Sequence, residues 1–284
     1  MNPLEEAVLR LPKPSVWKGQ RVTVAEEKKN GVNCTIWRNQ GGARAIGRKH
    51  YIDLWPRMER NAELQASVYD LPMDTVVNGE LWVPGGKSAD VVGALNAGKG
   101  FMFTAHTMPF WHGVYQRLVH LNTIRETLDT YGFDLVGQMD LLDRVYTKEE
   151  TEVCIASLLK DAEAAGWEGW VLKEEHLFGW YKVKVLHTVD AVVMSTKPGN
   201  GKFEGGIGSF AIGLWQDGVL VPVGTVSAGC WNDLERSTLS DAEIGRVMEV
   251  RYQDVLGKGK LQHSVFVQWR DDKPSAECTM EQIS

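Results

Sequence analysis

The sequence contains no run approaching the roughly 18–20 consecutive apolar residues that a bilayer-crossing helix requires, so a helical membrane protein is excluded. It shows no apolar signal core either. The opening MNPLEEAVLRLPKPSVWKGQ passes from acidic to basic without one, and export is not expected. Cysteine is scarce and scattered. Cys34, Cys154, Cys230 and Cys278 stand far apart with no C-x-x-C among them, so neither a zinc knuckle nor a disulfide framework is expected. A reducing cytoplasm fits that usage best. There is no internal repeat and no low-complexity segment. An excess of positive charge is also missing. The formal net charge of −6 argues against a nucleic-acid coat protein, but not against an enzyme on nucleic acid, whose basic residues need only cluster on one face.

What is present is an ordinary globular composition, 284 residues with 43% hydrophobic, enough to bury a core as one large domain or two smaller ones. Most of the eleven tryptophans are read as packing residues. Residues 20–60 read as short strands: RVTVAEEK and NCTIWRNQ flank Asn30-Gly31, and Gly41-Gly42 turns the chain into ARAIGRKH. TVVNGELWVP reads as a strand pair and GKGFMFTAHTM as a further strand. Two helices are expected. GVYQRLVHLNTIRETLDTYG places Leu118, Leu121, Ile124 and Leu128 on one face and stops at Gly132. TKEETEVCIASLLKDAEAAG opens with a Thr147/Glu150 capping box, carries a stripe of Val153, Leu158, Leu159 and Ala162, and stops at Gly166. After about residue 187 the texture changes to short strands joined by glycine-rich turns. A hairpin is expected at Asp217-Gly218 and one short helix within residues 239–255. Such a texture suggests a small barrel.

Residues 26–33, EEKKNGVN, put two ammonium groups beside a turn dipeptide. Either they crown a solvated hairpin tip, or one lysine is held where its amine can react. Four other stretches bear on the choice: Asn78-Gly79-Glu80-Leu81, Glu168-Gly169-Trp170-Val171-Leu172-Lys173, Trp180-Tyr181-Lys182-Val183-Lys184 and Arg270-Asp271-Asp272-Lys273. A lysine must lose a proton before it attacks phosphorus, and neighbouring cations and partial desolvation favour the neutral amine. Lys29, Lys182 and Lys184 are candidates for that positive surrounding, which would also hold a polyphosphate. Two near-motifs are refused. Gly86-Lys87-Ser88 ends like a phosphate-binding loop, but Leu81 stands where its first glycine belongs. Gly205-Gly206-Ile207-Gly208 lacks the dinucleotide fingerprint and reads as a turn.

Taken in order, Lys28 to Asn33 and the four other stretches resemble the signature motifs of covalent nucleotidyltransferases: K-x-D-G-x-R, D-G-E-L, E-G-x-V-x-K, W-x-K-x-K and R-x-D-K. The later chain, from Val189-Asp190-Ala191-Val192-Val193 through residues 199–215, 223–229 and 248–255 to Trp269–Lys273, resembles the OB domain of ATP-dependent DNA ligases. The resemblance implies an α+β chain: an adenylation domain of antiparallel sheets and flanking helices over 1–186, then an all-β OB-fold barrel over 187–284, hinged near 184–190. It implies nick sealing in duplex DNA, the step that replication, repair and recombination share. Lys28 would be the nucleophile that carries AMP. Glu26 would contact the adenine edge and Glu80 the ribose hydroxyls. Glu168, with Glu80, would hold Mg²⁺ or Mn²⁺. His106, with Phe103 as the fallback, would stack on adenine. Asn33, Arg48, Lys182, Lys184, Arg270 and Lys273 complete the ATP-binding set.

Asn30 and Asn33 depart from the Asp and Arg of the first motif. They keep two alternatives in view, an RNA or RNA/DNA hybrid ligase and an inactive end-binding module, and they leave open how the acceptor end is held. Arg38 is a candidate to restore the lost charge. Only 27 residues precede Lys28, which leaves no room for a helical DNA-binding domain and implies a minimal ligase of the phage or small bacterial type, monomeric and cytoplasmic. A basic groove at Lys28, Arg44, Arg48 and Lys49 would meet the DNA phosphates.

Overall fold

In a computed structural model, which describes residues 3–20, 22, 24–48, 52–109, 133–135, 138–140, 148–174, 179–201 and 204–283, Asn30-Gly31 is not the tip of a hairpin. The strands on either side of it belong to different sheets. Val24–Glu27 pairs with Gly169–Lys173 and Gln138–Asp140, whereas Gly31–Asn39 pairs with Gly42–Gly47 and Val76–Trp82. A primed two-residue turn needs positive φ at its first central position, and in type I′ at both, and neither Asn30 nor Gly31 has it. Instead the Asn30 side chain accepts a hydrogen bond from the Ser88 backbone N–H at 3.1 Å, at the start of helix Ser88–Ala97. Lys28, Lys29 and Asn30 are therefore a crossing from one sheet to the other. Asp217-Gly218 supplies the contrast. With φ of 50° and 76° it makes the expected hairpin between Ile207–Gln216 and Val219–Ser227.

The first compact unit spans Met1–Val185. Among the described residues one of its sheets runs Ser15–Val16, Trp180–Lys184, Gly169–Lys173, Val24–Glu27, Gln138–Asp140, and the other runs Gly42–Gly47, Gly31–Asn39, Val76–Trp82, Met102–Thr107, Phe133–Leu135. Pairing is antiparallel except at Ser15–Val16 and Phe133–Leu135. TVVNGELWVP forms one strand and not two, because Asn78-Gly79 lies in mid-strand. A Cβ on Gly79 would sit 2.2 Å from the Thr104 carbonyl oxygen and 2.6 Å from the Phe103 ring, so glycine is there for a close approach and not for a turn.

Helices Ala62–Asp70 and Ser88–Ala97 cover the second sheet, packing Leu64, Val68, Val91 and Leu95 against Ile36, Val77, Leu81 and Phe103. Full burial of side chains of this size is worth about 1.5–3 kcal/mol each. Helix Lys148–Ala164 covers the first sheet through Ile155, Leu158 and Ala162, packed on Ala25, Trp170 and Leu172. Val153, expected in that stripe, is 72% exposed. It lies five residues before Leu158, about 140° around the helix, and Ile155 takes its place. The helix ends as expected at Gly166, whose φ is +70° and whose N–H donates to the Glu163 carbonyl. The expected helix over 113–132, with Leu118, Leu121, Ile124 and Leu128, and the cap residue Thr147 lie outside the described residues.

The second unit, Leu186–Ser284, is an antiparallel sheet in the order Val219–Ser227, Ile207–Gln216, His187–Pro198, Val247–Tyr252, Val265–Trp269, with a small pair Asp254–Leu256 and Lys260–Gln262. Register shifts near Met194, Ile212 and Glu249 bend it around a core of Val189, Phe210, Ile212, Val226, Met248 and Val250. The expected barrel is not closed. Among the described residues the hydrogen-bonded order ends at Val219–Ser227 on one side and Val265–Trp269 on the other. Of the short helix expected within 239–255, a single 3₁₀ turn forms, at Asp241–Glu243, and strand Val247–Tyr252 follows it, whose alternate residues Val250 and Tyr252 are buried. The chain is thus a mixed α+β protein built on antiparallel sheets. No helix among the described residues is long and apolar enough to cross a membrane.

Candidate active site

Three elements converge on the crossing. Past the end of strand Val24–Glu27, the Lys28 N–H donates to the Gly169 carbonyl at 2.9 Å, which adds one more backbone bond to the first sheet. Gly169 allows this approach: its φ is +138°, and a Cβ there would lie 2.2 Å from the Val183 carbonyl oxygen. Glu168 is thereby set beside the Lys28 side chain. Lys28 Nζ donates to Glu168 Oε2 at 2.6 Å, and Lys184 Nζ meets Glu168 Oε1 at 2.7 Å. One carboxylate thus joins two ammonium groups that lie 156 residues apart in the chain, at 28 and 184.

A cavity of about 340 Å³ opens at this point. Its wall contains Lys13, Glu26, Glu27, Lys28, Lys29, Asn33, Arg48, Glu80, Thr104, His106, Trp180, Lys182 and Lys184. Six basic side chains face three carboxylates in that wall, so in an acidic protein the cavity is locally positive and suits a polyanion. Lys182 has no ion-pair partner among the described residues. Deeper in, Glu26 pairs with Lys173 at 2.5 Å with both side chains 3% exposed. Lys173 also donates to the His106 carbonyl at 3.0 Å and lies 4.3 Å from the centroid of the Trp180 ring. His106 meets Trp180 edge to face at 5.5 Å. Burial first, then the cations Lys173, Arg48 and Lys28, hold His106 well below the usual imidazole range, so its ring is neutral and aromatic at pH 7. Its Nδ1 is buried without a hydrogen-bond partner.

Glu80 shows the opposite shift. Burial pushes its carboxyl up to about 7, and the nearby charge of Glu168 adds to this, while Lys28, Asn33 and Arg48 oppose it. Glu80 and Glu168 are the hard oxygen donors at this wall, Glu168 already joined to Lys28 and Lys184, and no group of three or more potential metal ligands occurs among the described residues.

No protein-family model matches the sequence, and no curated protein matches it either. Solved structures do. A Lig E DNA ligase, studied for DNA binding with a minimal scaffold, superposes with a TM-score of 0.67 at 19% identity, covering 92% of this chain and 98% of its own. The chain has the fold of a Lig E DNA ligase. Two further structures, Pmar-Lig_Pre. and Pmar-Lig_PreS3, also superpose at 0.67, with 18% and 17% identity over 88% and 94% of this chain. The chain spans just under two thirds of those two, 63% and 65%. Identity this low carries the ligase fold alone.

Within that ligase fold, the cavity gathers most of the expected residues: Glu26, Lys28, Asn33, Arg48, Glu80, His106, Lys182 and Lys184, with Glu168 bound to two of them. Phe103 is not among them. It is fully buried in the core against Gly79, so the fallback ring for adenine is corrected to a packing residue. Lys29 does not form an unpaired cation beside Lys28. It pairs with Glu27 at 2.8 Å and rests 4.2 Å from the centroid of Trp82. Arg38 does not restore a charge to the site, because its guanidinium donates to the Asn39 and Gly42 carbonyls and lies on Tyr69. Arg44 is engaged by Asp53 at 3.1 Å, and Lys49 lies outside the described residues. Arg270 and Lys273 belong to the second unit.

Three contributors carried no role in the sequence reading. Trp180 and Lys173 stand inside the motifs themselves, and the tryptophan was absorbed into a general expectation of packing. Thr104 accepts from Trp82 Nε1 at 2.8 Å, and no local pattern marks it.

Proposed function

We propose that this chain is an ATP-dependent DNA ligase that seals nicks in duplex DNA through a lysyl-AMP intermediate. The observation that carries the reading is the Lys28 amine at the wall of a positive cavity, on a sheet crossing, with Glu168 and Lys184 beside it. In this reading the neutral amine of Lys28 attacks the α-phosphorus of ATP. An N–P bond forms, the bond to the bridging oxygen breaks, and pyrophosphate leaves. AMP passes next to the 5′-phosphate of a nick, and attack by the 3′-hydroxyl then releases it. Glu26 faces the adenine edge, His106 or Trp180 supplies the aromatic face, and Glu80 faces the ribose. Arg48, Lys182 and Lys184 hold phosphate oxygens. Mg²⁺ or Mn²⁺, held by Glu168 and Glu80, would neutralise charge on the transferring phosphate.

The second unit is read as an OB domain that contributes Arg270 and Lys273. The enzyme is read as monomeric and as acting in the cytoplasm, where ATP and DNA meet. One observation keeps a hybrid or RNA acceptor in play. Asn33, in place of a cation, makes a reciprocal amide pair with Asn78 at 3.2 Å in each direction.

Incubation with ATP and Mg²⁺ followed by intact-mass measurement is expected to show one added AMP, lost in Lys28→Ala. Absence of an adduct on the wild type would favour an end-binding module. Nicks with RNA or DNA on each side distinguish the acceptors: sealing only with RNA at the 3′-hydroxyl would overturn the DNA reading.

A further inference from the structure

Asp190 lies on His187–Pro198, the middle strand of the second unit's sheet, and is 8% exposed. Its carboxylate holds two cations at once. Arg270 Nη1 donates to both of its oxygens at 3.0 Å, and Lys273 Nζ donates to Oδ2 at 2.7 Å. The backbone of Asp190 is fixed in turn by one side-chain amide: its N–H donates to Gln282 Oε1 at 3.3 Å and its carbonyl accepts from Gln282 Nε2 at 3.2 Å. The cations sit on a turn in which the Lys273 N–H donates to the Arg270 carbonyl at 3.2 Å. Asp272 takes the other edge of Arg270 through Nε and Nη2, both at 2.9 Å, and Asp271 is drawn away by Arg246.

Two like charges on flexible side chains separate unless something holds them. Here a carboxylate on a rigid strand does so. The cationic side chains remain 28% and 20% exposed while Asp190 is covered, so an arriving anion meets the cations before Asp190 and has only the exposed Asp272 to displace from Arg270. A polyphosphate presents adjacent anionic oxygens. A cation pair assembled beforehand meets them without the cost of ordering two long side chains. The bond to Asp190 also pushes the Lys273 ammonium above its ordinary range, so it stays charged.

We infer that Asp190 is a positioning residue that holds Arg270 and Lys273 together for the pyrophosphate portion of ATP, and so sets the rate of lysine adenylation without touching the nucleotide. The inference rests on the ligase reading above.

The test separates two steps in the full-length protein. Asp190→Asn keeps the volume and one acceptor oxygen but drops the charge. It is expected to slow AMP uptake at saturating ATP and Mg²⁺ at least tenfold. Sealing of a nicked duplex already carrying a 5′-adenylate, supplied without ATP, should stay within twofold of wild type. Asp190→Glu, which restores the charge, should recover part of the uptake. A parallel fall of both steps would make Asp190 a purely structural residue and overturn the inference, as would uptake within twofold of wild type. Arg270→Ala/Lys273→Ala taking up AMP at the wild-type rate would overturn it too, with the ligase reading intact. A wild type that accepts no AMP removes the ligase reading itself.

Discussion

Burial pushes the carboxyl of Glu80 from an ordinary 4.5 up to about 7, and the sign of its effect on stability follows. Between those two pH values the unfolded chain has released the proton while the folded chain retains it. Folding then takes up a proton, so stability falls as pH rises through this window and stays lower above it. Glutamine cannot ionise and escapes the penalty. Glu80→Gln is therefore expected to match the wild type near pH 4.5 and to gain on it up to about pH 7, reaching about 2 kcal/mol once solvent screening at a half-buried site is allowed for. Denaturant midpoints across that range check it, and a gain that shrinks with rising pH would contradict it. Lys28 gives a second expectation at this scale. Lys28→Arg keeps a cation beside Glu168 and should fold normally, yet a guanidinium holds its proton too tightly for its neutral form to accumulate as a nucleophile. No AMP adduct should appear by intact mass, even after long incubation.

At the scale of single elements, strand Gly169–Lys173 carries the most. Its first residue lets Lys28 reach the sheet, and its last holds Glu26. Gly169→Ala puts a Cβ into the Val183 carbonyl at a φ of +138°, so it is expected to cost about 3 kcal/mol or more and to displace Glu168 from Lys28. Equilibrium unfolding and AMP uptake should fall together. Lys173→Met leaves the Glu26 carboxylate buried without its cation and is expected to cost about 3–5 kcal/mol, whereas Glu26→Gln/Lys173→Met should cost clearly less than the sum of the single changes. Additive costs in that cycle would mean that the two groups do not depend on each other.

The same strand shows what could be read from the sequence. The ordered glutamates, lysines and glycines placed most of the cavity wall, because most of them lie on a strand whose alternation fixes their side, or one residue beyond its end. The crossing at Asn30-Gly31 was not legible, because the dipeptide favours a hairpin locally and the bond to Ser88, 58 residues away, overrides it. Val153 was misplaced because one apolar residue at the start of an amphipathic helix can lie off the stripe. Phe103, the fallback for stacking, packs in the core instead, and the sequence does not separate the two because a buried ring and a stacking ring look alike in a strand of alternating residues.

At the scale of the whole molecule the chain carries two sets of cores that share no residue. Cys34, Ile36, Val77, Leu81 and Phe103 anchor the first unit, and Val189, Phe210, Ile212, Leu214 and Met248 anchor the second. The sequence showed this division as a change of texture near residue 187. It did not show that the second sheet stays open, since strand closure depends on the pairing of its two outermost strands and not on any local pattern. Separate cores give separate cooperative blocks wherever the entropy of ordering each segment is offset by its own buried surface. Phe210 is fully buried and touches Trp231 and Trp269 edge to face, at 5.6 Å and 6.1 Å. Phe210→Ala should remove about 3–5 kcal/mol from the second unit. Hydrogen exchange at graded denaturant is expected to show protection lost early in 189–193 and 207–214 while 34–36 and 77–81 keep wild-type protection. Leu81→Ala should reverse the order. If either substitution instead lowered protection equally in both sets of strands, the molecule would unfold as a single block, and the separation of its cores would have no energetic meaning.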